Sequence, residues 1–249
     1  MPELGPSSLW LEWLMSPMSG ALQHHLEPAL YWHARAMVLA WSFCIPLGVM
    51  VARFCKITPR QDWPRVLDNA GWWHAHRGLQ YAGVLTMAAG IALVLAHQGA
   101  GATLREGAAY WHAVLGWCVL VAAAVQVLSA WLRGSKGGPG QSTMAGDHYD
   151  MTPRRVVFER VHKSLGWLLV LSALGVSTLG LVVADAPRWM PLCLGAWWCL
   201  LLGAGVWLQQ RGLCVDTYQA IWGADPQMPG MQRAPIGWGV RRIQQHPWR

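Results

Sequence analysis

Between residues 31 and 209 the polar positions are few and gathered into short segments. They separate five apolar runs, at about 31–54, 74–97, 110–132, 159–183 and 190–209. No two-residue or 3.6-residue alternation divides these runs into a wet and a dry face. As a helix, each is long enough to cross a hydrocarbon core of roughly 30 Å. The pattern predicts an all-α integral membrane bundle of five transmembrane helices. Pro46 and Gly48 predict a kink past the midpoint of the first span. Residues 1–30 are moderately apolar and broken at Pro17 and Gly20, which reads as an outer interfacial segment. They lack the basic start and small-residue cleavage site of a signal peptide. Residues 211–249 read as a basic, Pro/Gly-rich tail that packs on the inner face or binds a partner.

Composition agrees with this pattern. Hydrophobic residues make up 54% of the 249 and charged residues only 12%, about half the ~25% usual in soluble domains. Many of the 18 tryptophans stand at the ends of the runs, as Trp32, Trp72, Trp73, Trp111, Trp131 and Trp189 do, where an interfacial belt belongs. The net charge of +7 would suggest nucleic acid in a soluble chain. Here Arg53, Lys56, Arg60 and Arg65 follow the first run, and Arg133, Lys136, Arg154, Arg155 and Arg160 follow the third. The second and fourth are followed by Arg105 and Arg188 alone. This bias sets orientation, with the amino terminus outside and the carboxyl terminus in the cytoplasm. It makes lipid, not nucleic acid, the partner. The six cysteines form no CxxC or CxxCH pattern, which excludes covalent haem attachment and thiol-ligated metal.

The chemistry lies in histidines near the starts of successive runs: His33, His76, His112 and His162. An imidazole inside a membrane helix is unfavourable without a partner. Successive spans run in opposite directions, so His33 and His112 share the outer leaflet and His76 and His162 the inner one. Two bis-histidine sites at two depths, about 20 Å apart at 1.5 Å rise per residue, suit two b-type haems passing an electron across the membrane. Zinc or copper would want acids or thiols nearby. The positions four residues on are Met37, Gln80, Gly116 and Gly166, and glycine there lets a flat ring lie against the backbone. Arg77, Arg160 and Lys163 inside, and Arg35 outside, can meet haem propionates or snorkel to headgroups. His74 rivals His76, which is deeper and has Gln80 on its face. His97, His148 and His246 read as solvated. His24 and His25 read as a solvated pair, with an outer metal or substrate site as the alternative.

The segments WHARAMVLAWSFCIPLGVMVARF, HRGLQYAGVLTMAAGIAL, HAVLGWCVLVAAAVQVLSAWLR and RVHKSLGWLLVLSALGVSTLGL resemble the cytochrome b561 family over about residues 31–184. The likeness is to the core that eukaryotic members share with bacterial relatives. In that family a histidine starts each of four core helices. A glycine follows the third and fourth histidines by four, and Pro-x-Gly-x-x-x-Ala-Arg closes the first helix. The resemblance implies a four-helix dihaem core over 31–184, with two non-covalent b haems on His33/His112 and His76/His162. A fifth transmembrane helix at 185–210 and a cytoplasmic tail at 211–249 are added to it. It implies an electron-transfer oxidoreductase in a bacterial cell membrane, if the chain acts alone. The donor is a quinol, an ascorbate-like anion or a protein. Arg53 matches the Ala-Arg position and, with Lys56, is the weak candidate for holding an anionic donor. The alternative is an anchor or quinone-reactive cytochrome b subunit of a larger redox complex, or a partner of a periplasmic redox protein.

Overall fold

The structure is a computed structural model that describes residues 6–21, 26–98, 106–138 and 145–248. His24, His25 and Arg105 lie outside the described residues. Five helices are long and apolar enough to cross a membrane: Pro28–Phe54, Gly71–His97, Gly107–Trp131, Pro153–Val183 and Trp189–Gln210. Large apolar side chains stand exposed along them, Leu85 and Leu202 among the most exposed. In water such faces would be a liability; against lipid tails they are solvated. The chain is therefore a multi-pass membrane protein.

Four spans begin within three residues of the sequence reading, and the fourth begins six earlier. The Thr152 hydroxyl accepts from the Arg155 amide and Pro153 fills the first helical position, a start signal that Arg154, Arg155, Glu159 and Arg160 had masked as loop. His162 consequently lies well inside its helix. Where a kink was expected, near Pro46, the helix carries a π-helical stretch over Leu39–Cys44, just before the proline, in which one residue is added to the turn.

The first and second spans pack closely along their lengths, as do the third and fourth. Between these two hairpins only the first and fourth spans touch to any extent, and the second and third stand apart. A slot is thus left through the middle of the bundle. A layer of buried Ala40, Trp41, Ile45, Met87, Val119, Ala123, Leu169, Val170 and Ala173 closes it at mid-height.

At one end, Ser19 donates to Asp185 from its amide and hydroxyl (2.8 and 2.6 Å), and Arg188 lies over Trp13. At the other end sits the tail, which is far from a solvated polar strand. Residues 212–223 are buried without a break. A short helix, Thr217–Trp222, is capped by Asp216 and packs on Ile57, Trp63, Tyr149 and Met151. The buried Gln219 side chain imitates a strand, donating to the Ile243 carbonyl at 2.8 Å and accepting from its amide at 2.9 Å. So polar residues here read as exposed but are paired inside.

Two histidines expected in solvent are buried for the same reason: His148, 2% exposed, and His246, 8% exposed. His246 meets the Gln61 carbonyl at 2.9 Å. His148 packs against Tyr218 and Trp222. Burial, with Arg155 next, holds its imidazole down at about 3, against an ordinary value of about 6.5. A depressed histidine adds stability above 6.5 and loses it as pH falls from 6.5 towards 3. The melting temperature is expected to drop between pH 7 and pH 5, and to drop less in His148→Gln; equal drops would remove His148 as the cause.

Candidate functional site

Three of the four histidines are held in one repeated way. His33 Nδ1 faces the Gly90 carbonyl at 3.0 Å, His76 Nδ1 the Gly48 carbonyl at 2.9 Å, and His112 Nδ1 the Val176 carbonyl at 3.1 Å. A carbonyl only accepts, so each Nδ1 carries the hydrogen and donates. The lone pair is then at Nε2, the tautomer of a metal ligand whose far nitrogen is oriented by the protein. His162 is anchored differently. Its backbone carbonyl accepts from Gln126 Nε2 at 2.8 Å, and its Nδ1 is buried with no hydrogen-bond partner.

These contacts fix a register. Fourteen residues separate His76 from Gly90, His112 from Gln126, and His162 from Val176. In the first span the interval from His33 to Gly48 is fifteen. The π-helical stretch inside that interval absorbs the extra residue. Each of the first four spans therefore carries a histidine at one level and the anchor for another at the second level, about 21 Å of helix away.

At the level away from the tail, the His33 and His112 rings have centroids 6.3 Å apart and planes at 90°. Two imidazoles on opposite sides of one metal atom, each about 2.0 Å from it, have centroids roughly 6 Å apart. Gly180 allows this approach: a Cβ there would come within 2.8 Å of His112 Cε1. At the tail level His76 and His162 line a cavity of about 700 Å3, within the roughly 300–1,000 Å3 of small-molecule sites. Gly48 leaves room for Gln80, whose Nε2 a Cβ there would overlap. Gln80 in turn donates to the Ile45 carbonyl at 3.0 Å. Of the two glycines expected to face a ring, Gly116 has open space where a Cβ would go, and Gly166 faces Gln126 Nε2 at 3.2 Å. His74 is exposed and does not line the cavity, unlike His76. His74→Ala is expected to leave cofactor content unchanged in a haemochrome assay.

Cations crowd the tail-level cavity. Arg53, Lys56, Arg77, Arg133, Arg155, Arg160 and Lys163 line it, with Glu159. Lys163 donates to Glu159 at 2.6 Å and to the Ile236 carbonyl at 2.9 Å. Arg53 donates to Gln209 at 2.9 Å and to the Trp238 carbonyl at 2.7 Å. Lys56 is buried, donating to the Val215 carbonyl at 3.0 Å; burial, with Lys163 nearby, holds its amine down at about 8. Arg35, at the other level, lies over Tyr31 and Trp32. The sequence reading had missed Arg133 and Arg155 as cavity residues, and Ile236, Gly237 and Trp238, which the tail brings to its wall. No spacing in the chain signals those.

Among the described residues no three His, Cys, Asp or Glu side chains gather to hold a metal. The histidine pairs suit a metal that arrives with four ligands of its own. Apolar walls, paired imidazoles and a cationic rim fit an iron porphyrin with carboxylate side chains.

A cytochrome b561, DM13 and DOMON domain-containing protein of Arabidopsis thaliana is 26% identical over 148 residues, 59% of this chain and 14% of its own length. Ferric-chelate reductase 1 of Mus musculus is 30% identical over 157 residues, 62% of this chain and 23% of that protein. Its Homo sapiens counterpart is 31% identical over 126 residues, 50% of this chain and 20% of its own length. The likeness supports a cytochrome b561-type family. The chain spans less than a quarter of the length of these relatives. No family model matches the chain, and no solved structure matches it.

Proposed function

We propose that this protein is a dihaem b-type cytochrome that carries electrons across the membrane. The observation that carries the reading is the register: four imidazoles at two levels, three of them with Nδ1 turned to a carbonyl on a neighbouring span. Haem b, when bound, supplies one-electron redox chemistry at iron. His33 and His112 hold one haem, His76 and His162 the other. Two strong nitrogen ligands per iron leave no site for oxygen, which favours electron transfer. Arg77, Arg160 and Lys163 at the tail level, with Arg133 and Arg155, neutralise the propionates there; Arg35 does so at the other level. Arg53 and Lys56 assist an anionic donor, although Arg53 is engaged by Gln209 and Trp238 and Lys56 by two backbone carbonyls.

The tail level faces the cytoplasm of a bacterial cell, as the loop charges indicate, and the amino terminus faces the periplasm. Donors of the fitting class are a quinol, an ascorbate-like anion or a redox protein. The names of the mammalian relatives add a ferric chelate as an acceptor. A second reading, a haem-bearing subunit of a larger redox assembly, draws support from the much greater length of those relatives.

The test is a pyridine haemochrome assay on purified protein, followed by reduction in liposomes. Two haems b per chain, and reduction of a trapped ferric acceptor by ascorbate outside, are expected. A colourless protein overturns the reading. Two haems with no electron crossing until a partner is added favours the subunit.

A further inference from the structure

The buried residues of the layer between the two histidine levels are non-aromatic with one exception, and a second tryptophan, Trp198, packs against the layer only partly buried. The exception is Trp41. It lies eight residues beyond His33 and seven before Gly48, whose carbonyl anchors His76, so it sits at the midpoint between the levels. It is 5% exposed and shares the wall of the tail-level cavity with Ile45, Ala123 and Leu169. Towards the other level it packs in the same cluster as Met37, Ile91 and Val176. Of these, Val176 supplies the carbonyl that holds His112.

The backbone departs from regular α-helix at this point. Trp41 stands inside the π-helical stretch Leu39–Cys44. That stretch takes up the one residue by which the first span exceeds the fourteen-residue interval of the others. Ala40, Trp41 and Ser42 are buried in succession while Leu39 is half exposed. A single π turn inside an α-helix re-aims the side chains that follow and recurs at functional positions.

We propose that Trp41 is the bridge through which an electron passes between the two haem sites, an inference that rests on the dihaem reading above. One ferrous iron gives up one electron and one ferric iron gains it. The indole is neither oxidised nor reduced and no proton moves. It acts as the medium: a conjugated ring across this layer lowers the tunnelling barrier that saturated side chains would present over the same gap. If Trp41 only filled space, any side chain of similar bulk would serve.

The experiment uses the full chain with both haems, in liposomes, and a membrane-impermeant reductant on one side. The nearer haem reduces first, and the second phase reports transfer between haems. Trp41→Leu is expected to keep two haems and both midpoint potentials, to leave the first phase unchanged and to slow the second several-fold. Trp41→Phe should fall between the two. Trp41→Met, bulky but saturated, covers the case in which leucine disturbs packing, and should slow the second phase as leucine does. A wild-type protein with fewer than two haems overturns the dihaem reading and this one together. Two haems with an unchanged second phase in the leucine or methionine variant overturns this one alone.

Discussion

Removing both histidines of one level is expected to lose no more haem than removing one. His33→Ala, His112→Ala and the double variant should each leave one haem per chain, the one at the tail level. His76→Ala, His162→Ala and their double variant should each leave the other. A double variant that crosses levels, His33→Ala with His76→Ala, should leave none. The reason is geometric. The His33 and His112 rings stand 6.3 Å apart, while His76 and His162 share a cavity about 21 Å of helix away. Each pair therefore acts as a unit, and loss of a member is strongly non-additive with loss of its partner. Haemochrome content per chain reads the result. A crossed variant that keeps a haem would refute the pairing.

Glu159→Gln is expected to be the most destabilising single change outside the histidines. Its carboxylate is 5% exposed and lies between Arg155 at 3.0 Å and Lys163 at 2.6 Å. His148 Nε2 stands 3.8 Å away. A neutral amide leaves two cations without their counter-charge in a closed place. Breaking a buried pair in this way costs about 3 kcal/mol or more. Lys163 also ties the tail to the cavity through Ile236, so the tail-level haem should dissociate first on heating while the other persists. Melting followed at the haem absorption band reads both effects. Arg154→Gln, at an exposed position, is the control and should change little. Equal melting of the two variants would mean that the cluster contributes nothing.

Much of the architecture was legible because lipid imposes a simple rule: every backbone polar group inside the membrane must be paired within its own helix, so spans appear as long apolar runs. The alternation of helix direction brought His33 together with His112 and His76 together with His162. Exposure of His74 and partial burial of His76 follow from helical phase. The start of the fourth span was less legible. Its first turns carry Arg154, Arg155, Glu159 and Arg160, and these look like loop until Glu159 is seen to gather Arg155 and Lys163 along one helical face. The tail was expected to pack on the inner face, but which of its residues are buried was not legible, for a related reason. Asp216, Thr217 and Gln219 are polar by composition, yet each is buried, and the partners of Asp216 and Gln219, Arg242 and Ile243, lie more than twenty residues on. His148 and His246 went the same way.

The apolar runs and the placement of four imidazoles within them are fixed locally, by the bilayer's demand on each helix alone, and these settled the number of spans and the two histidine levels. Only the packed bundle decided how the rings are oriented, by carbonyls on neighbouring spans. It also decided that a π turn would bring Trp41 between the levels and that the tail would wall the cavity. These depend on contacts between segments distant in the chain, and a pattern read along one strand of sequence carries no term for them.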